Sequence, residues 1–291
     1  MKNFGAQNMV TSIKKVLMKK PQKYMSKVNL EKWNYKYPLN QKIVEKNYDE
    51  FFNIIKSFDA EIFELDICDE DELCDSIFTH DPSLILNEGA LILNMGKKLR
   101  TKETIEHEKF YESINIPIIG KIINEGTVEG GDCLWINENT LLIGESSRTN
   151  KSGIEQIINI LNHYNIKVIP VKLPKQNNPN SCFHLMSIVS ILDFDLAIGC
   201  LSLFSNDLVK IFHDNNIKLI AIPEDEYFKS KTLAVNILTL APRNLVLMKG
   251  YPKTEDLLIN NGNKLKLFNG NELCIKAEGG PTCLTRVILR E

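Results

Sequence analysis

Cysteine pairs at CxxC spacing are missing from this 291-residue chain, and its seven cysteines are odd in number. That excludes a disulfide framework and fits no zinc-binding pattern. It predicts free thiols in a reducing compartment. Long apolar runs are also missing: none approaches the ~20 residues that a membrane-spanning helix needs. Asn3, Gln7, Asn8 and Thr11 interrupt the N-terminus where a signal peptide would have its apolar core, so the expected location is cytoplasmic. A charge excess is absent too. With 35 basic and 37 acidic residues the net charge is −2, and no overall field favours nucleic acid or an anionic membrane. The one basic run, Lys14, Lys15, Lys19, Lys20 and Lys23, reads as the solvated edge of a strand. No Pro/Gly/Ser-rich linker divides the chain, and Asn177-Asn178-Pro179-Asn180 reads as a loop.

What is present is a repeated cadence. After a loosely ordered lead-in over 1–12, Ser12–Met18 reads as a strand stopped by Pro21. Asn40–Phe58 has helical spacing, and Ile62–Leu65 is a short strand. Ser83–Met95 predicts a hairpin turning at Asn87-Glu88-Gly89, followed by a helix over Lys102–Ile114. A second hairpin, Val128–Ile136 with Thr140–Gly144, precedes a helix over Lys151–Tyr164 and a strand over Lys167–Val171. Strands at His184–Ile191 and Ala197–Gly199, a helix near Asn206–Asn215 and a strand at Lys218–Ile222 repeat the pattern. So do Val235–Leu240, Leu245–Met248, a helix over Thr254–Asn261, and strands at Lys264–Phe268 and Thr285–Leu289. Hairpins alternate with helices about five times, which predicts one α/β domain of repeated modules over 13–291.

Three clusters carry reactive side chains. Asp75-Ser-Ile-Phe78-Thr-His80-Asp81 ends with a carboxylate before Pro82, either a turn aspartate or an acid aimed at a cation. Glu129-Gly130-Gly131-Asp132 places two glycines between two carboxylates. It is a surface turn or a close backbone approach to a planar cation. Glu278-Gly279-Gly280-Pro281-Thr282-Cys283 holds a cysteine after an open turn, and such a thiol becomes a nucleophile if a cation lies near. Among the five histidines, His107, His163 and His213 fall in helical stretches and read as surface residues. His80 lies in the first cluster, and His184, after a loop, is the leading partner for Cys283. Trp33, Trp135 and Tyr35 read as packing residues, and Cys68, Cys74, Cys133, Cys200 and Cys274 as inert thiols.

With DSIFTHDP (75–82), EGGD (129–132), GESSRTN (144–150), FHLMS (183–187) and GGPTCLTR (279–286) in this order, the chain resembles the guanidino-group modifying superfamily. The likeness is greatest to its dimethylarginine dimethylaminohydrolase branch. The resemblance implies a five-bladed pseudo-symmetric α/β propeller, the pentein fold. It implies Cys283 as nucleophile, His184 as general acid/base, and Glu129 and Asp81 as the carboxylates that grip the guanidinium. Arg100 and Arg148 would bind the substrate's α-carboxylate, with Asp75 and Phe78 lining the pocket and Asp132 orienting His184 or a turn. The expected reaction is hydrolysis of an N-methylated arginine to citrulline and an amine through a thiouronium on Cys283. Amidinotransfer, plain arginine deimination and a silent ligand-binding protein are the alternatives. No metal or organic cofactor is called for, the partner is a small guanidine, and a homodimer is left open. Met186 stands where arginine deiminases carry an aspartate, which favours an N-alkylated guanidine. His80 stands where dimethylargininases often have an acid. The carboxylate of Asp81 argues against arginine dihydrolysis, whose enzymes carry asparagine there.

Overall fold

The computed structural model describes residues 2–67, 73–175 and 182–291. The expectations for Cys68 and for the loop 177–180 lie outside the described residues.

The strands form five sheets of three. Strand β1 (Ile13–Met18) lies parallel to β2 (Glu61–Glu64), and the intervening crossover contains helix Gln41–Ser57. The next modules repeat this plan: an antiparallel hairpin, a helix, and a third strand parallel to the second. They comprise β3 (Ser83–Ile85), β4 (Ala90–Ile92) and β5 (Ile118–Lys121), then β6 (Cys133–Asn137), β7 (Thr140–Glu145) and β8 (Lys167–Lys172). The fourth is β9 (Val189–Asp193), β10 (Leu196–Gly199) and β11 (Lys218–Ala221), and the fifth β12 (Leu238–Ala241), β13 (Asn244–Met248) and β14 (Lys264–Phe268). The last strand, β15 (Arg286–Arg290), pairs antiparallel with β1 and completes the first sheet, so the two ends of the fold close a ring. Strands β3, β6, β9, β12 and β15 are the first of their sheets, and β15 packs beside β3 as β9 does beside β12. This is the five-bladed α/β propeller, with loops from every blade meeting near its axis.

Local chemistry sets the helices. Helix Gln41–Ser57 starts where Asn40 caps the amide of Ile43, and it buries Val44, Tyr48, Phe51 and Ile55 at helical spacing. Helix Lys151–Asn162 is capped by Asn150 on Gly153 N at 2.8 Å and buries Ile154, Ile157 and Leu161. Among the described residues, no helix is long and apolar enough to cross a membrane.

Several local expectations are corrected. Residues 2–12 are not a loose lead-in: Gly5 exchanges backbone hydrogen bonds with Ile288 and Arg290, and Gln7 is buried against Asn87 and Glu138. β1 is the middle strand of its sheet and not an edge, and Lys19 is buried, although Lys14, Lys20 and Lys23 of the basic run are exposed. The strand expected from His184 begins only at Val189, because Leu185–Ser187 forms a 3-10 turn. Likewise β6 begins at Cys133, after the Gly130–Asp132 turn. His107 is fully buried, bonded to Ser83 Oγ at 3.2 Å, whereas His213 is exposed. Burial pushes His107 down to about 3, so it sits in the core uncharged.

Candidate active site

Cys283 lies in the turn that leads into β15. The Gly-Gly-Pro approach is demanded by space: a Cβ on Gly279 would strike the Phe78 ring, and one on Gly280 would strike the Asn236 side chain. Asn236 holds the turn at Thr282 and Cys283. Its Nδ2 donates to Cys283 Sγ at 3.2 Å, and its Oδ1 accepts from Thr282 N at 3.0 Å. Burial first, then Asp81 and Cys182, pushes the Cys283 thiol up to about 12, while the Asn236 hydrogen bond works the other way.

His184 precedes the Leu185–Ser187 turn and is tied to it by its backbone N–H, which donates to Ser187 Oγ at 3.0 Å. The backbone of Gly131 lies so close to the imidazole that any Cβ there would overlap the ring. Nε2 meets Glu129 Oε2 at 2.9 Å, and Nδ1 lies 3.7 Å from Cys182 Sγ. Burial opposes charge on the ring, but Cys182, Asp132 and the Glu129 hydrogen bond outweigh it and hold His184 well above its ordinary value. Asp132 does not reach the cleft. Fully buried, it accepts from Leu185 N at 2.9 Å and from Ser146 Oγ at 2.6 Å, so it fixes the turn that carries His184 and does not line the cleft.

The carboxylates of Asp81 and Glu129 are fixed by donors. Asp81 accepts from Gly131 N at 3.1 Å and pairs with Arg100 Nη1 at 2.7 Å. Glu129 Oε1 accepts from Lys97 N at 3.0 Å and lies 3.6 Å from Arg148 Nη1. Burial would raise both acids. For Asp81 the charges of Arg100 and His184 prevail, and for Glu129 the hydrogen bond and charge of His184, so both stay below the usual carboxylate range. One ligand atom each from Asp81, Glu129 and His184 lies within 4.8 Å of the others, a compact nest for a cation.

Arg100 departs from its expected role. Its Nε and Nη2 fork Glu103 at 2.9–3.0 Å, Nη1 holds Asp81, and Nη2 also donates to Phe78 O at 3.0 Å. With its donors taken up inside the protein, it braces Asp81 and is not free to seize a substrate carboxylate. Removing it leaves two buried acids uncompensated, so Arg100→Met should cost about 3–5 kcal/mol in denaturant unfolding. A loss below about 1 kcal/mol would mean that Asp81 and Glu103 do not depend on this cation.

Asp75 accepts from Tyr35 Oη at 2.9 Å and from Lys97 Nζ at 2.6 Å, and Lys97 sits 5.0 Å above the Trp33 ring. Trp33 and Tyr35 thus border the cleft and do more than pack, whereas Trp135 lies in the core. Cys283, His184, Glu129, Asp81, Asp75, Phe78, Arg100 and Arg148 all line this one cleft, together with Lys97 and Cys182. Met186 packs in an apolar cluster with Phe183 and Leu185 and does not reach it. His80 is turned away, its Nδ1 on Thr285 O at 3.1 Å. Sequence reasoning missed Asn236, Lys97 and Glu103. Only Glu103 carried a signal, as an acid three residues after Arg100 on a helix.

The arginine deiminase family matches residues 70–199. The N(G),N(G)-dimethylarginine dimethylaminohydrolase of Pseudomonas aeruginosa is 27% identical over 244 residues, 81% of this chain and 89% of that protein. The enzyme of the same name from Streptomyces coelicolor is 27% identical over 284 residues, 96% of this chain and 98% of its own length. The solved Pseudomonas aeruginosa enzyme, a cysteine-to-serine variant complexed with citrulline, superposes with a TM-score of 0.77 at 23% identity, covering 96% of this chain and all of that one. Sequence, fold and a cysteine and histidine sharing one acidic cleft agree: the chain is similar to the guanidino-group modifying enzymes and has the five-bladed α/β propeller fold of their solved structures.

Proposed function

We propose that this protein hydrolyses the guanidinium carbon of an N-alkylated arginine, releasing a ureido amino acid and an amine. One observation carries the reading: Cys283, His184 and the carboxylates of Asp81 and Glu129 face a single buried cleft, with the acids held ionised at the place where a planar cation would lie. The names of the relatives support the same chemistry.

The charges order the steps. A guanidinium between Asp81 and Glu129 brings positive charge beside a thiol that is otherwise held up by burial, and so favours loss of the Cys283 proton to solvent, since His184 already carries its own. The thiolate attacks the central carbon. His184, raised and so protonated at rest, gives its proton to the departing amine, which cannot leave as an amide anion. The neutral imidazole then takes a proton from water, which attacks the thiouronium and frees Cys283. Asp75, beside Lys97, and Arg148, at the rim of Glu129, are placed to meet the substrate's amino and carboxylate ends. Free cysteines at 74, 133, 182, 200, 274 and 283 suit a cytoplasmic setting.

Selectivity follows from what stands after His184. Met186 packs in the core, so that position offers the guanidinium neither a carboxylate nor a contact. A substrate whose nitrogen carries methyl groups leaves fewer N–H groups unpaired there. N-methylated arginines should show kcat/KM about tenfold or more above arginine. Incubation with a panel of guanidines, read by product mass, checks this. Equal or better use of arginine would contradict the substrate assignment, and dependence on an added amine acceptor would point to amidinotransfer instead. Chelators should leave the rate unchanged, because the cation in the nest is the substrate itself.

A further inference from the structure

A second cavity, of about 30 Å³, lies among the inner strands. Arg286, Arg290, His80 and Thr285 border it on one side, and apolar side chains such as Trp135 and Leu238 close the rest. Arg286 and Arg290 open and close β15, four residues apart and so on one face of the strand. They are only 6% and 8% exposed, and among the described residues neither has a carboxylate at ion-pair distance. Their partners are neutral: Arg286 Nη2 donates to His80 O, and Arg290 donates to Thr11 O and to Thr239 O. Arg286 Nε has no hydrogen-bond partner.

Two guanidinium charges withdrawn from water with carbonyl oxygens as their hydrogen-bond partners are costly. The Asp81 carboxylate, itself paired with Arg100, favours the Arg286 charge from beyond ion-pair distance, and among the described residues no acid acts on Arg290. Water in the cavity would satisfy hydrogen bonds but not charge. The hydroxyls and imidazole that line it do not supply the missing charge either. The Thr285 hydroxyl is bonded to the carbonyls of Pro281 and Thr282, and the Thr282 hydroxyl to Ile237 O. His80 donates Nδ1–H to Thr285 O and is neutral, pushed down to about 3 by burial and by Arg286.

We propose that Arg286 and Arg290 hold a small inorganic anion, a halide such as chloride, in this cavity. The space corresponds to about two water positions, which suits a monatomic ion and is too tight for a tetrahedral oxyanion. The site is tied to the catalytic turns through Arg286. Its Nη2 binds the carbonyl of His80, next to Asp81, and lies so close under Gly130 that a Cβ there would meet both groups. An occupant therefore braces the two turns that carry Asp81 and Glu129.

Crystals grown in bromide should give an anomalous peak between the two guanidinium groups. In solution, chloride or bromide at 100 mM should raise the midpoint of thermal unfolding by roughly 3–8 °C over gluconate at equal ionic strength. Sulfate should not reproduce the rise. In Arg290→Met the halide-dependent rise should disappear, while the midpoint in gluconate stays at or above that of the unaltered protein. If that variant fails to fold, the bromide and gluconate comparison on the unaltered protein decides alone. No anomalous peak together with equal midpoints in halide and gluconate would overturn the proposal, and so would an equal rise in sulfate. None of these readouts depends on turnover, so failure here and failure of the hydrolase reading are distinguishable.

Discussion

Replacing Cys283 by serine should lower turnover of a methylated arginine about 10⁴-fold or more, with the fold and guanidine binding retained. A hydroxyl is far less acidic than a thiol, and even the thiol here is pushed up to about 12 before a cation arrives. A serine in the same place would have no reachable anionic form. The change is nearly isosteric, and the Asn236 amide can still donate to the oxygen, so the turn should keep its shape. The readout is ureido product against time by mass, with binding of the product measured separately. The unaltered protein, quenched during turnover, should carry on the peptide containing Cys283 a thiouronium adduct that retains the amino-acid part of the substrate, the substrate mass less the amine. Activity within tenfold of the parent, or an adduct on Cys182 instead, would remove Cys283 from the mechanism.

The second large effect belongs to His184. His184→Asn should reduce kcat by about 10²–10⁴, the usual worth of a positioned acid/base. The pH profile separates this from a packing loss. In the parent protein kcat, which reports the complex in which the bound guanidinium has drawn the Cys283 thiol down, should decline as pH rises past the elevated value of His184, since the acid that protonates the leaving amine is then lost. It should also decline toward low pH as the thiolate becomes scarce. The asparagine variant should lose the alkaline decline and keep the acid one. Stability follows the same ring. Because the folded value is raised, the contribution of the imidazolium–Glu129 pair is complete below about pH 6.5. It is lost as pH climbs through the folded value, and this dependence should vanish in the variant. An alkaline decline that persists in His184→Asn would assign the limb to another group.

Much of this fold was legible because each blade is built from neighbours in sequence. Asn150 before Gly153-Ile154 marks a helix start, and the strand Lys264–Phe268 has the bounds that its apolar pattern implied. The glycine pairs at 130–131 and 279–280 marked the reactive turns, because close packing against His184 and Phe78 admits no side chain there. What escaped depends on contacts between distant blades. Asn236 lies in an ordinary apolar stretch and acquires its role only when the turn at 282–283 folds back onto it. His107 has the sequence surroundings of a surface helix, and it is buried because Ser83 and Tyr111 close over it. Arg100 sits in a basic stretch that gives no hint of saturation by Asp81 and Glu103, and Gln7 owes its burial to partners at Asn87 and Glu138.

The pairing of β15 with β1 joins residues such as Ile13 and Arg290. A contact of that span carries a large loop-closure cost and forms after the blades, whose hairpins are local. Since Cys283 sits three positions ahead of that final strand, the last event of assembly is also the one that seats the nucleophile. An intermediate with four finished blades would lack the thiol and also the contacts from Cys283, Thr285 and Arg286 that support the turn beside Asp81.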